Sequence, residues 1–111
     1  MKYLMLIRAD GLPAPEELTV MQRELPGWDE EMDGRGVRLL GRELDLPETA
    51  ATVRVRDGDM LLSKAPCTGN TEFIADVDVV SCADRQQAIQ LAAAHPFARY
   101  HAIEVRPFYR E

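Results

Sequence analysis

The chain has 111 residues, of which 46% are hydrophobic and 29% charged, a composition typical of a folded globular protein rather than a disordered one. This length predicts a single domain over residues 1–111. The formal net charge of −6, and the lack of any stretch that mixes basic with aromatic residues, argue against nucleic-acid binding.

The first apolar run, Tyr3 to Ile7, is too short for the apolar segment of a signal peptide or for a membrane span. The two cysteines are Cys67 and Cys82, and their spacing, with that of the two histidines, matches no zinc pattern. We therefore expect reduced thiols, no metal, no cofactor and a cytoplasmic protein that does not associate with membranes.

The chain should begin with a strand over residues 2–8, followed by a helix that starts at Pro15. Pro26 is predicted to end or kink this helix, because proline has no N–H to donate to the preceding turn. A second short helix would then close at Gly34 and Gly36. The strand places apolar side chains on both of its faces, Tyr3, Met5 and Ile7 on one and Leu4 and Leu6 on the other.

The middle of the chain is predicted to be strands. Residues 37–44 form one strand, and residues 51–63 form a hairpin whose turn is the Asp57–Gly58 pair. Residues 71–80 form the next strand, which alternates between an acidic and an apolar face. The acidic face holds Asp76 and Asp78, and the apolar face holds Phe73, Ala75, Val77 and Val79.

The last two elements are a helix and a strand. Asp84 is the predicted N-cap of the helix and Pro96 stops it. The strand that follows, within residues 100–108, turns Ile103 and Val105 one way and Arg106 the other.

This order of elements predicts an α+β fold, a ferredoxin-like sandwich with an antiparallel sheet and both helices on one face. The other face would carry Leu4 and Leu6 uncovered, and a second copy of the chain is the simplest cover for it. We therefore expect a homodimer that packs through the open sheet face, as in a dimeric α/β barrel.

Six co-linear segments resemble the YCII-related family, in particular its DGPF-domain branch. They are "MKYLMLI" at the start, "WDEEM" at 28–32, "LLGRELDLP" at 39–47, "ATVRVRDG" at 51–58, "AAAHP" at 92–96 and "IEVRPF" at 103–108. The resemblance implies a dimeric ferredoxin-like protein, in the superfamily of muconolactone isomerases and small cofactor-free monooxygenases. It leaves the reaction open, because most members of the family have no established one.

The chain departs from this family in the loop before the strand at 71–80. Where the family typically carries D-G-P-F and then an A-E-T-K-E-like run, this chain has Lys64, Ala65, Pro66 and Cys67, and then Thr68 to Glu72. Only Pro66 and Glu72 match, so the signature is degenerate. Any role that depends on its aspartate is absent from this position.

The candidate catalytic residues are Asp76, Asp78 and His95. The two aspartates are about 7 Å apart on one strand face, where burial could raise one pKa for acid–base work. Each candidate also has a structural alternative. The aspartates could pair across strands with Arg54 and Arg56, and a cationic His95 could cap the helix before it.

The candidate ligand-binding residues are Arg54, Lys64, Pro66, Cys67, Glu72 and Arg106. Arg54 or Arg106 would anchor an anionic group, and the loop from Lys64 to Thr71 would act as a lid. Cys67 is a candidate nucleophile, because the charge of Lys64 would favour its thiolate.

Two functions of different classes follow from these features. The first is binding or transformation of a small organic molecule in a pocket at the sheet face, lined by polar residues on an otherwise apolar open face. The alternative is a non-enzymatic accessory or protein-interaction module that has lost the site of its family.

Overall fold

The structure is a computed structural model that describes residues 1–10, 14–65 and 73–109, with Phe73 described by its backbone alone. Its elements are β1 (Lys2–Ala9), α1 (Pro15–Gly34), β2 (Arg38–Glu43), β3 (Thr52–Arg56), β4 (Asp59–Ser63), β5 (Phe73–Ser81), α2 (Arg85–Ala93) and β6 (Ala102–Pro107). Within the described part of the chain, no helix is long and apolar enough to cross a bilayer.

Four of the strands form an antiparallel sheet in the order β2-β5-β1-β6, which is the strand order of a ferredoxin-like fold. Its core is a cluster of buried side chains from one sheet face and both helices, including Tyr3, Met5, Ile7, Trp28, Met32, Val80, Ala88 and Leu91. The predicted α+β sandwich, with its antiparallel sheet and its helices on one face, is confirmed.

Helix α1 continues through Pro26, so the predicted break is wrong. Met21, Trp28 and Met32 recur at helical spacing on both sides of the proline, and all three are buried. Pro26 itself is exposed, so its ring points away from the core. Burial of this stripe over about three turns stabilises one helix by more than the single lost backbone hydrogen bond destabilises it.

The hairpin forms as predicted, but it forms a sheet of its own. Asp57 and Gly58 have φ angles of 53° and 81°, the left-handed pair that a tight hairpin turn requires. β3 pairs with β4, while β5 pairs with β1 and β2. The predicted cross-strand pairing of the β5 aspartates with Arg54 and Arg56 is therefore wrong.

The β5 aspartates lie on the helix-covered face of the sheet. Asp76 is opposite Ile7 and Asp78 is opposite Met5, and directly opposed residues share a face. A bulge between β1 and β5 also leaves Ala75 packed against the core. Asp76 and Asp78 therefore do not line the open face, and the burial of two carboxyl groups could not be read from an alternating pattern.

The open face carries the apolar side chains that the sequence places there. Leu4 and Leu6 are half-buried and lie opposite Val79 and Val77 of β5. Three charged side chains of this face are ion-paired, with Glu104 contacting both Arg8 and Arg106. These positions follow directly from the strand alternation.

Candidate acid–base site

Three buried polar side chains converge on the helix-covered face of β5. Asp76, Asp78 and His95 are 8%, 2% and 1% exposed. One atom of each, Asp76 Oδ1, Asp78 Oδ2 and His95 Nε2, is buried without a hydrogen-bond partner among the described residues. Because buried polar atoms are nearly always partnered, these three atoms mark this face of β5 as the candidate site.

His95 follows α2 and caps the 3₁₀ turn Pro96–Arg99. Its Nδ1 accepts a hydrogen bond from the backbone N–H of Phe97 at 3.0 Å, which assigns the proton of the neutral ring to Nε2. Burial lowers the pKa of His95 to about 4. The alternative of a cationic cap on the preceding helix is therefore wrong, because the ring is neutral and caps the turn that follows it.

Asp78 lies between this imidazole and an arginine. Its Oδ2 is 4.0 Å from His95 Nε2, and its Oδ1 is 3.4 Å from Arg38 Nη1. The first gap is too long for a hydrogen bond, so the Nε2–H of His95 and the carboxyl of Asp78 face each other without bonding. A ligand oxygen at this position could contact both groups.

Trp28 of α1 holds the imidazole in place. Its ring centroid is 4.6 Å from that of His95, at an interplanar angle of 58°. Its Nε1–H donates to the backbone oxygen of Leu91 at 3.1 Å, which ties α1 to α2. Phe97 contacts the imidazole edge-on, with ring centroids 5.3 Å apart. His95 is therefore positioned by aromatic contacts as well as by its own hydrogen bond.

Arg38 of β2 links the buried acids to the rim of the site. It contacts Asp33 at 2.8 Å and Asp29 at 3.3 Å, both on α1. Its hydrogen bond to Asp33 lowers the pKa of that carboxyl, whereas burial raises the pKa of Asp29. The side chains of Arg38 and Asp29 are 19% and 28% exposed, so this edge of the cluster meets solvent.

Burial gives the two β5 carboxyl groups unusual acidities. It raises the pKa of Asp76 to about 7, with a further contribution from the negative charge of Asp78. It also raises the pKa of Asp78 to about 6, although Arg38 acts in the opposite direction. Asp76 therefore exchanges its proton near neutral pH, which is the acidity that a general acid or base requires.

The structure brings together the three predicted catalytic residues and leaves the predicted anchors elsewhere. Arg54 lies on the β3–β4 hairpin, and Lys64 is exposed just after β4. Arg106 lies on the open face of the sheet, opposite Leu4, so the sheet separates it from the aspartates. Pro66, Cys67 and Glu72, with the proposed lid, lie outside the described residues.

Four further residues belong to this site without having been predicted from the sequence: Trp28, Asp29, Asp33 and Arg38. Trp28 and Asp29 belong to the "WDEEM" segment that carries the family resemblance, and that was the available signal for them. Arg38 gave no signal, because its role depends on the strand order that places β2 beside β5.

Gly41 of β2 leaves the space that the ion pair of Arg38 and Asp78 occupies. It lies opposite Asp78, and a Cβ at this position would collide with the Arg38 guanidinium and the Asp78 carboxyl. Gly41→Ala should displace the guanidinium and lower the free energy of unfolding by about 1–2 kcal/mol at pH 8. The loss should shrink at pH 5, where the raised pKa keeps Asp78 protonated in the folded chain. Urea unfolding at both pH values measures it.

Gly27→Ala is the matched control, because a Cβ there meets nothing within 4 Å. It should raise the free energy of unfolding by about 0.5–1 kcal/mol at both pH values, through helix propensity. A loss in Gly41→Ala that is equal at pH 5 and pH 8 would show that the ion pair is not what the substitution disturbs.

The open grooves of the surface do not reach the three central side chains of this site, although one of them is lined in part by Trp28. Three grooves formed by described residues, of about 360, 360 and 300 Å³, are lined by side chains other than Asp76, Asp78 and His95. In the same ranges of the chain, no group of three or more His, Cys, Asp or Glu side chains is arranged to hold a metal ion.

Comparison with known proteins gives one family and a shared fold. The model of the YCII-related domain matches residues 1–110. No curated protein matches the chain. Among solved structures, the 5-chloro-2-hydroxyhydroquinone dehydrochlorinase TftG from Burkholderia phenoliruptrix AC1100, in complex with 2,5-dihydroxybenzoquinone, is similar with a TM-score of 0.54. That match covers 100% of this chain and 96% of TftG at 12% sequence identity, which supports a shared fold alone.

Proposed function

The chain belongs to the YCII-related family, and we propose that it catalyses a proton transfer on a small organic molecule, with Asp76, Asp78 and His95 as the residues of its active site. One observation carries the proposal. Each of these three side chains has a buried polar atom without a partner among the described residues, and burial raises the pKa values of the two carboxyl groups towards neutrality. The partly exposed rim at Arg38 and Asp29 is where we propose that a ligand enters.

Each residue has a distinct part in the proposed proton transfer. The Asp76 carboxylate accepts a proton from an O–H or C–H group of the ligand, and the electron pair of the broken bond stays on the ligand. The Nε2–H of His95 donates a hydrogen bond to the oxygen where this charge develops. Asp78, held by Arg38, accepts a hydrogen bond from another hydroxyl of the ligand, and protonated Asp76 then returns its proton to the same or another atom of the ligand. Such general acid–base catalysis contributes about 10²–10⁴-fold to a rate.

The charges around the site favour ligands that carry no negative charge. Among the described residues, this cluster holds four aspartates, and Arg38 contacts three of them. An anionic ligand would meet net repulsion here, in contrast to the sequence-based expectation of an anchored anion. We propose neutral hydroxylated rings as the first class to test, because their hydroxyl groups can form hydrogen bonds with these side chains without adding a negative charge.

Thermal shift with a matched pair of ligands tests this proposal. Hydroquinone should raise the melting temperature of the wild-type chain at pH 7, and 2,5-dihydroxybenzoate, the same ring with an added carboxylate, should not. Asp76→Asn and Asp78→Asn should reduce the hydroquinone shift by half or more. Asp59→Asn, at an exposed position on the hairpin, is the control and should behave as wild type.

Two outcomes would contradict the proposal. The first is a hydroquinone shift that both aspartate variants retain in full, and the second is an equal or larger shift with 2,5-dihydroxybenzoate. If neither ligand shifts the wild-type protein, a wider panel of neutral hydroxylated rings decides between this proposal and the alternative.

The alternative function is a non-enzymatic accessory or interaction module. The near-complete burial of Asp78 and His95 favours it, and so does their absence from the lining of the described grooves. It predicts that no small molecule of the panel stabilises the chain.

We also propose that the chain is a cytoplasmic homodimer that packs through its open sheet face. Support for the dimer comes from the half-buried Leu4, Leu6, Val77 and Val79 on that face, together with the exposed Leu40. The free thiol of Cys82 is consistent with a reducing compartment.

A further inference from the structure

The β3–β4 hairpin has one wholly apolar face that is exposed to solvent. Val53 lies opposite Leu62 and Val55 lies opposite Met60, so these four side chains share a face. All four side chains are more than half exposed, from 54% for Leu62 to 66% for Met60. The other face is mostly polar and includes Arg54, which lies opposite Leu61. Strict alternation along both strands thus produces an amphipathic hairpin whose apolar face has little cover within the chain.

This hairpin extends from the body of the protein as an arm. Its strands pair with each other and with no strand of the four-stranded sheet. The radius of gyration is 15.8 Å, whereas a compact domain of this length has about 13 Å. An isolated two-stranded hairpin is marginally stable in water, so an arm of this kind gains its stability from what it packs against.

We propose that the apolar face of this arm, Val53, Val55, Met60 and Leu62, packs against a second copy of the chain. This inference rests on the proposed homodimer and adds a second contact to the open sheet face. In a two-fold dimer each protomer gives its arm and receives that of its partner, so one symmetric contact covers both arms.

Charge does not oppose a second copy as the occupant. Residues 52–63 of the arm hold two basic and two acidic side chains, whereas the remainder of the chain holds eleven basic and seventeen acidic ones. Helix α1 alone carries seven acidic residues and one arginine. The arm has no net charge, so it can pack against another copy of this acidic chain without the like-charge repulsion that two acidic surfaces would meet.

The area of the contact is sufficient for a specific dimer. An aliphatic side chain buries about 100 Å² in full, so four that are more than half exposed offer roughly 250 Å² per arm. Two arms and the surfaces they cover give roughly 1,000 Å², about the lower limit for a specific interface. The open sheet face adds to this area.

Sedimentation velocity over a concentration series tests the arm with a matched pair of variants. Leu62 and Leu61 are neighbours in β4 with 54% and 50% exposure, but they point to opposite faces of the hairpin. Leu62→Glu should raise the dimer dissociation constant by about 30-fold or more, the effect expected of a central interface residue. Leu61→Glu should leave it within about threefold of wild type. Val55→Glu, also on the apolar face, should reproduce the effect of Leu62→Glu.

The test separates the arm from the open face and from the acid–base site. Leu6→Glu probes the open face, so dissociation by Leu6→Glu but not by Leu62→Glu would overturn the arm and leave the rest of the dimer standing. A monomeric wild type, or equal effects of Leu61→Glu and Leu62→Glu, would also overturn it. Far-ultraviolet circular dichroism confirms that each variant is folded. Hydroquinone binding belongs to the other proposal, and its failure leaves this result unchanged.

Discussion

Trp28→Ala should lower the free energy of unfolding by about 3–5 kcal/mol, the range for deleting a large buried aromatic side chain. Trp28 is 5% exposed, and its indole N–H donates to Leu91 across the two helices. Removing the ring would leave a cavity, an unpartnered carbonyl and a free face on the imidazole of His95. Chemical denaturation with urea measures the loss.

Leu18→Ala on the same helix is the control, because Leu18 is 40% exposed and its truncation should cost less than about 1 kcal/mol. Trp28→Phe keeps a ring against His95 and should lose about 1–2 kcal/mol through the missing hydrogen bond. A Trp28→Ala protein about as stable as Leu18→Ala would show that this packing does not hold the site together.

The stability of Asp76→Asn relative to wild type should rise by about 2 kcal/mol between pH 5 and pH 8, after allowance for partial solvation of the carboxyl. Folded Asp76 keeps its proton up to a pKa of about 7, whereas the unfolded chain releases it near its ordinary value. Stability from this group is therefore complete at low pH and is lost as pH rises through 7. Asparagine has no proton to lose, so the variant escapes this loss.

Two comparisons isolate this effect. The pKa of His95 is lowered to about 4 in the folded chain. The contribution of His95 to stability is therefore complete above the ordinary pKa of histidine and is lost as pH falls through 4. That opposite trend is common to both proteins and cancels in their difference. Asp59→Asn, at an exposed position, should show no such trend. If the difference in stability between Asp76→Asn and wild type does not depend on pH, the pKa of Asp76 is not raised in the folded chain.

The sheet and its faces could be predicted because strand alternation determines which residues share a face. Tyr3, Met5 and Ile7 are buried and Leu4 and Leu6 are half-buried, as their spacing requires. Helix α1 could not be predicted in full, because the effect of Pro26 is local whereas the burial of Trp28 and Met32 depends on the sheet.

The site could be predicted only in part, for a similar reason. Asp76, Asp78 and His95 were recognisable as groups able to do acid–base chemistry. Their burial, and the contact of Asp78 with Arg38, depend on which strands are neighbours across 40 residues of sequence. The alternation of β5 was equally compatible with cross-strand pairs to Arg54 and Arg56, because two carboxyl groups inside a core are exceptional unless a site requires them.

Titration of the Asp76 side-chain carboxyl by carbon-detected nuclear magnetic resonance tests the central claim most directly. The signal is assigned by its loss in Asp76→Asn, and its chemical shift is followed from pH 3 to pH 9. We expect a midpoint near pH 7, as burial beside Asp78 requires. A midpoint at the ordinary acidity of aspartate, about pH 4, would mean that the carboxyl is solvated, and it would contradict the acid–base site.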